Sequence, residues 1–76
     1  MNKFKAEGLS NGFPDLTIPY ARHGYHGLFI EMKFGRGKPS PEQVSWLDFL
    51  AEQGYLAVVC WSAEEAIKAV QEYFAT

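Results

Sequence analysis

Seventy-six residues suffice for one domain, near the lower limit at which a single core is stable without disulfides or association. With 47% apolar residues, twelve aromatic rings and 21% charged residues the chain is globular rather than disordered, and one cysteine excludes an intrachain disulfide. The net charge of −2 speaks against a nucleic-acid partner for the chain as a whole, yet residues 1–38 carry six basic and three acidic groups and residues 39–76 one basic and six acidic groups.

Any phosphate-facing surface therefore belongs to the first half, with Lys3, Lys5, Arg22, Lys33, Arg36 and Lys38; the bland alternative is a solvated charge asymmetry. No charged-then-apolar leader and no long apolar span is evident, so the expectation is a cytoplasmic protein with no membrane partner. Twelve rings in so short a chain exceed what a small core easily hides, which predicts a homodimer.

In chain order, residues 1–11 give no sustained helical period: Gly8, Ser10 and Asn11 crowd together, and Phe4, Ala6 and Leu9 do not repeat. A strand is predicted from Gly12 to Ile18, ended by Pro19, which has no N–H for a ladder. Tyr20 to His26 reads as the turn between antiparallel strands. His23 and His26 within it are hairpin residues before they are metal ligands, because two loop histidines three apart make a poor zinc site without soft ligands.

The next strand, Gly27 to Phe34, is broken by Gly35-Arg36-Gly37. Alternation places Leu28, Ile30 and Met32 on one face and Phe29, Glu31 and Lys33 on the other. If the strand with Phe13, Asp15 and Thr17 pairs beside it, at about 4.8 Å, Asp15 joins Glu31 and Lys33. Two hard oxygen ligands and an ammonium then converge, which suits a divalent cation such as Mg²⁺ and a phosphodiester. The competing reading is an exposed strand face with an ordinary cross-strand ion pair, worth under about 1 kcal/mol.

Ser40-Pro41-Glu42-Gln43 is a helix start, with Ser40 as N-cap, Pro41 at the first position and Gln43 closing a capping box. The helix is expected to run to Gln53, to seat Val44, Leu47 and Ala51 with Leu50 beside them, and to end on Gly54. Tyr55 to Trp61 is a nearly unbroken apolar run, read as a strand buried on both faces and parallel to the strand before the helix. Cys60 within it is a buried small hydrophobe rather than a nucleophile. Ser62 and Glu65 cap a last helix whose inner face is Ile67, Val70 and Phe74. Trp46 and Trp61 read as core or dimer contacts rather than base-stacking platforms.

Pro14-Asp15, fifteen further residues, then Glu31-Met32-Lys33 resembles the PD-(D/E)xK nuclease signature. A bare match of this kind is weak. The ordered run of Gly12-Phe13-Pro14-Asp15-Leu16, Tyr25 to Lys33, Lys38-Pro39-Ser40-Pro41-Glu42-Gln43, Trp46-Leu47, Gly54-Tyr55, Val58-Val59-Cys60 and Glu65-Ala66-Ile67 is similar to one branch, the VRR-NUC family, across about residues 10–74. The resemblance implies an α/β restriction-endonuclease-like core, a small mixed β-sheet flanked by helices in the order β-β-α-β-α. It implies a metal-dependent DNA endonuclease in which Asp15 and Glu31 hold Mg²⁺ or Mn²⁺, the Met32 carbonyl is a further ligand, Lys33 orients water or neutralises phosphorane charge, and Gln43 reaches the site; the bland alternative for Gln43 is that it only caps its helix. The stand-alone members suggest a homodimer cutting branched DNA such as four-way junctions.

One departure stands out. The family's N-terminal helix, which supplies a further acidic or polar residue, has no counterpart in the fourteen residues ahead of Asp15, and Glu7 is the acidic candidate there to replace it. Three readings stay open: an active nuclease, a nuclease-like DNA-binding or assembly module that cuts nothing, and an unrelated α/β domain with incidental carboxylates.

Overall fold

The computed structural model describes residues 12–76. The elements run β1 (Leu16–Ile18), β2 (Leu28–Met32), α1 (Pro41–Glu52), β3 (Leu56–Cys60) and α2 (Ala63–Phe74). They form a small mixed sheet in the order β1-β2-β3, with β1 antiparallel to β2 and β3 parallel to it, a restriction-endonuclease-like α/β arrangement. The expected order and strand directions hold. The segment around Lys3 to Glu7, and with it the question of the missing helix, lies outside the described residues.

The central strand is β2, and its alternation divides the core. Leu28 and Ile30, both 0% exposed, pack with Cys60, Ala66 and Tyr73 beneath α2, while Phe29 packs with Trp46 and Leu50 beneath α1. Each such burial contributes about 1.5–3 kcal/mol, so the two helices are held to opposite faces of one short strand. β3 is an edge strand among the described residues and is mostly half-buried, not buried on both faces as its apolar run predicts. An unbroken apolar run reports coverage by both helices but not position in the sheet.

Both helices are rotated from their predicted seats. α1 faces the sheet with Trp46, Phe49 and Leu50, leaving Val44 and Ala51 exposed. Two rings bury more surface than Val44 and Ala51, which decides the rotation. α2 faces inward with Ala66, Ala69, Val70 and Tyr73, leaving Ile67 56% and Phe74 38% exposed. Small Ala66 lets the helix approach Leu28 and Ile30, and the Tyr73 hydroxyl donates to the Tyr20 carbonyl at 2.6 Å, so a polar-tipped ring can be buried where an apolar count favours Ile67.

The ends are capped as the sequence indicates. At α1, Ser40 Oγ accepts the Gln43 N–H at 3.2 Å and Gln43 Oε1 accepts the Ser40 N–H at 2.8 Å. At the far end the Gly54 N–H reaches the Ala51 carbonyl and the Tyr55 N–H the Leu50 carbonyl, a Schellman closure with Gly54 at φ 93°. At α2, Ser62 Oγ accepts the Glu65 N–H at 3.1 Å, but the Glu65 carboxylate reaches one residue further back than a capping box requires, to the Trp61 N–H at 2.8 Å.

The β1–β2 connection is strapped to the C-terminal end of α2. His23 Nε2 lies 2.9 Å from the Tyr73 carbonyl, and since a carbonyl only accepts, that nitrogen carries the proton. Arg22 donates to the Ala75 carbonyl at 3.4 Å and lies over the Phe74 ring. Basic groups at a helix C-terminus satisfy its last carbonyls and oppose its dipole. His23 is thus a structural residue, and His26 stacks by its edge on Tyr55.

Candidate active site

The site lies where β1 begins and β2 ends, and Gly12-Phe13-Pro14 builds one side of it. Gly12 sits at φ +79° against the first turn of α1, where a Cβ would stand 2.7 Å from the Glu42 carbonyl carbon and 2.8 Å from the Gln43 nitrogen. Only glycine meets both conditions. Phe13 then wedges edge-on between Phe29 and Trp46, with ring centroids 5.6 and 5.0 Å away, and Pro14 is buried. Asp15 is delivered just ahead of β1, which starts at Leu16 rather than Gly12.

The ladder pairs Leu16 with Ile30, so its next step sets Asp15 opposite Glu31. Asp15 Oδ2 accepts the Met32 N–H at 2.8 Å, which ties the carboxylate to the end of β2. In an extended strand a residue's N–H and C=O point the same way, so the Met32 carbonyl is directed to the Asp15 side as well.

Glu31 is 2% exposed, which removes the reading of an exposed charged strand face. Its Oε2 receives the Gln43 Nε2–H at 2.7 Å and lies 3.5 Å from Lys33 Nζ. Its Oε1 is buried and has no hydrogen-bond partner among the described residues. Burial first, and the facing Asp15 carboxylate second, push the Glu31 carboxyl above its ordinary range, while Lys33 pulls the other way. An ionised carboxylate so placed is costly unless something positive meets its free oxygen.

Capping and reaching the site are not alternatives for Gln43. Its oxygen is taken by the Ser40 N–H, so its amide NH₂ is the end that faces Glu31. The amide's orientation is fixed by helix-cap chemistry, and this dual use is the feature sequence reasoning left undecided.

By side chains alone the donor set is small for a divalent cation. Among the described residues no group of three or more His, Cys, Asp and Glu side chains gathers. Mg²⁺, however, keeps several waters and is commonly bound through one or two carboxylates plus substrate oxygens. Asp15, the orphaned Glu31 Oε1 and the Met32 carbonyl are all hard oxygen donors, and the residues fit such an ion. Of the basic groups named from sequence, Lys33, Arg36 and Lys38 follow β2 at this end, while Arg22 is at the other end of β2 and engaged with α2. Cys60 is 4% exposed, and burial, then Glu65, pushes its thiol upward, so it is no nucleophile.

The sequence profile of the VRR-NUC domain matches residues 2–64, most of the chain. The chain belongs to the VRR-NUC domain family. It is similar to a solved structure titled "VRR_NUC domain protein" at 42% identity and a TM-score of 0.84, covering 95% of this chain and 60% of that one. The VRR-NUC chain described here thus spans well under the full length of that relative. No curated protein matches. VRR-NUC membership makes this a nuclease-type domain, and no helix among the described residues is long and apolar enough to cross a membrane.

Proposed function

We propose that this VRR-NUC domain is a divalent-metal-dependent DNA endonuclease. The observation that carries the reading is the buried Glu31 carboxylate, facing Asp15, with Oε2 held by Gln43 and Lys33 and Oε1 left without a partner among the described residues. Asp15, Glu31 and the Met32 carbonyl would hold Mg²⁺ or Mn²⁺, which when bound supplies Lewis-acid polarisation of a phosphate and a more acidic water. Lys33 Nζ, on the same strand face as Glu31, places a positive point charge where the phosphorane becomes more negative. Gln43 orients Glu31 without touching the phosphate.

The reaction is hydrolysis: a water oxygen bonds to phosphorus, the bond to one sugar oxygen breaks, and that oxygen leaves with a proton. The working unit is a homodimer, supported by the exposed Phe13, Leu16, Tyr20, Ile67 and Phe74 side chains, which are more apolar surface than a small monomer needs to show. A two-fold dimer presents two such sites in opposed orientation, which suits a two-fold-symmetric substrate, a branched DNA such as a four-way junction. The two-carboxylate donor set also favours a second reading, a nuclease-like module that binds DNA or a partner without cutting it.

The test is incubation with a four-way junction and with linear DNA in Mg²⁺ or Mn²⁺. Nicks that EDTA prevents, faster on the junction, are expected, with Lys33→Ala strongly slowed. No cutting with either metal transfers the case to the binding module.

A further inference from the structure

We propose that Phe34 is a nucleobase-stacking site: the residue on which an unpaired base of a bound strand rests. The inference builds on the nuclease reading and assigns to the same end of β2 a contact that the metal site does not require.

Phe34 is 73% exposed, the most exposed of the chain's large apolar side chains among the described residues. It is not on a slack loop. The Gly37 N–H donates to the Phe34 carbonyl at 2.9 Å, closing a turn with Gly35 at φ +57° in its first central position, a conformation glycine adopts freely. A Cβ at Gly35 would meet nothing within 4 Å among the described residues, so the turn is open at Gly35. Trp61 then pins it, its Nε1–H donating to the Gly37 carbonyl at 2.8 Å. A large ring is thus held out to water on a turn secured at two points.

The charge around the ring selects the partner. Lys33, Arg36 and Lys38 fall within the six residues Lys33 to Lys38, and no acidic residue follows before Glu42. Basic residues this close to one exposed aromatic in sequence, with Arg36 and Lys38 added to the Glu31-paired Lys33, fit a polyanion that carries flat faces, and they disfavour an apolar protein surface, which would desolvate them. Phe34 follows Lys33 at the end of β2, and because successive strand residues alternate faces its ring lies off the face that Lys33 shares with Glu31, available to a base that the metal site does not hold. Stacking there needs no contact with the carboxylates. Stacking is sequence-tolerant, because every base has a π-face.

The test uses the full chain and a labelled single-stranded oligonucleotide, titrated by fluorescence anisotropy in Ca²⁺, with 2-aminopurine in the strand to report stacking. Phe34→Ala should weaken binding about tenfold, the equivalent of one stacked base, and remove the 2-aminopurine quench. Its salt dependence should match the parent's, because no phosphate contact is lost, whereas Arg36→Ala should flatten the salt slope. Phe34→Tyr should bind within about twofold of the parent, since the ring is retained. Unchanged affinity in Phe34→Ala, from a parent that binds and nicks DNA, overturns the stacking site and leaves the nuclease reading intact. Unchanged affinity together with loss of a dimer in sedimentation assigns Phe34 to a second copy of the chain and also overturns it. A parent that neither binds nor cuts DNA removes both readings at once.

Discussion

Gln43→Ala separates the two jobs of one side chain. The substitution removes the 2.7 Å bond from the amide to buried Glu31 and the 2.8 Å bond from the Ser40 N–H, while the backbone N–H of residue 43 still reaches Ser40 Oγ. A hydrogen bond to a charged group contributes about 1.5–3 kcal/mol and a neutral one about 0.5–1.5 kcal/mol, so the expected loss is about 2–4.5 kcal/mol. A chain of this size has about 4–11 kcal/mol in total, which makes the loss easy to read in urea denaturation with an unchanged m-value. The pH dependence identifies which bond matters. Glu31 has a raised carboxyl pKa in the folded protein, from burial and then Asp15. Its favourable contribution to folding is therefore complete below the unfolded value of about 4.3 and is lost as pH rises through the folded value. Removing a donor to the ionised form raises the folded value further, so the variant loses more. The gap between parent and variant should shrink near pH 4 to what two neutral hydrogen bonds contribute, about 1–3 kcal/mol, and widen toward neutrality. A gap that is flat with pH would refute the reasoning and leave Gln43 as a helix cap alone.

Three further outcomes follow from the same geometry. Gly12→Ala combines a positive φ with a clash against α1 backbone, whereas Gly24→Ala at φ +83° meets nothing within 4 Å; Gly12→Ala should therefore cost clearly more than the ~1–3 kcal/mol of backbone strain that Gly24→Ala shows, and equal melting temperatures would sink the contact argument. Cys60, buried with its thiol pushed upward, should react with a thiol reagent at pH 8 only on unfolding; labelling of the native protein at the rate of a free thiol contradicts that placement. Glu31→Gln should leave metal-free stability within about 1 kcal/mol of the parent, or raise it, because it removes a buried charge, and a loss several times larger in thermal melts would mean that the ionised carboxylate stabilises the fold unaided.

Much of this was legible in the sequence where one residue type has one physical use. Ser40-Pro41 and Gly54 are helix punctuation, and they bound α1 as expected. The alternation in β2 separated the faces correctly because Leu28 and Ile30 pack under one helix and Phe29 under the other. What the sequence did not disclose depends on side-chain size and polar tips rather than on period. Tyr73 and Ala66 displace Ile67 and Phe74 from the α2 interface, and Trp46 with Phe49 displaces Val44 from that of α1. At the site, Asp15, Glu31 and Lys33 were nameable from spacing, but the wedge of Phe13 and the orphaned oxygen of Glu31 arise only when three segments meet. The two histidines carried a loop signal and nothing to show that His23 ties down α2.

The most direct measurement of the central claim is a calorimetric titration with Mn²⁺, run beside nicking of a four-way junction. One Mn²⁺ per chain is expected, with binding abolished by Asp15→Ala and by Glu31→Gln, and nicking lost in the same variants although both remain folded by circular dichroism. Binding that survives either substitution, or nicking that persists where binding is gone, would contradict the assignment of these two carboxylates to the metal.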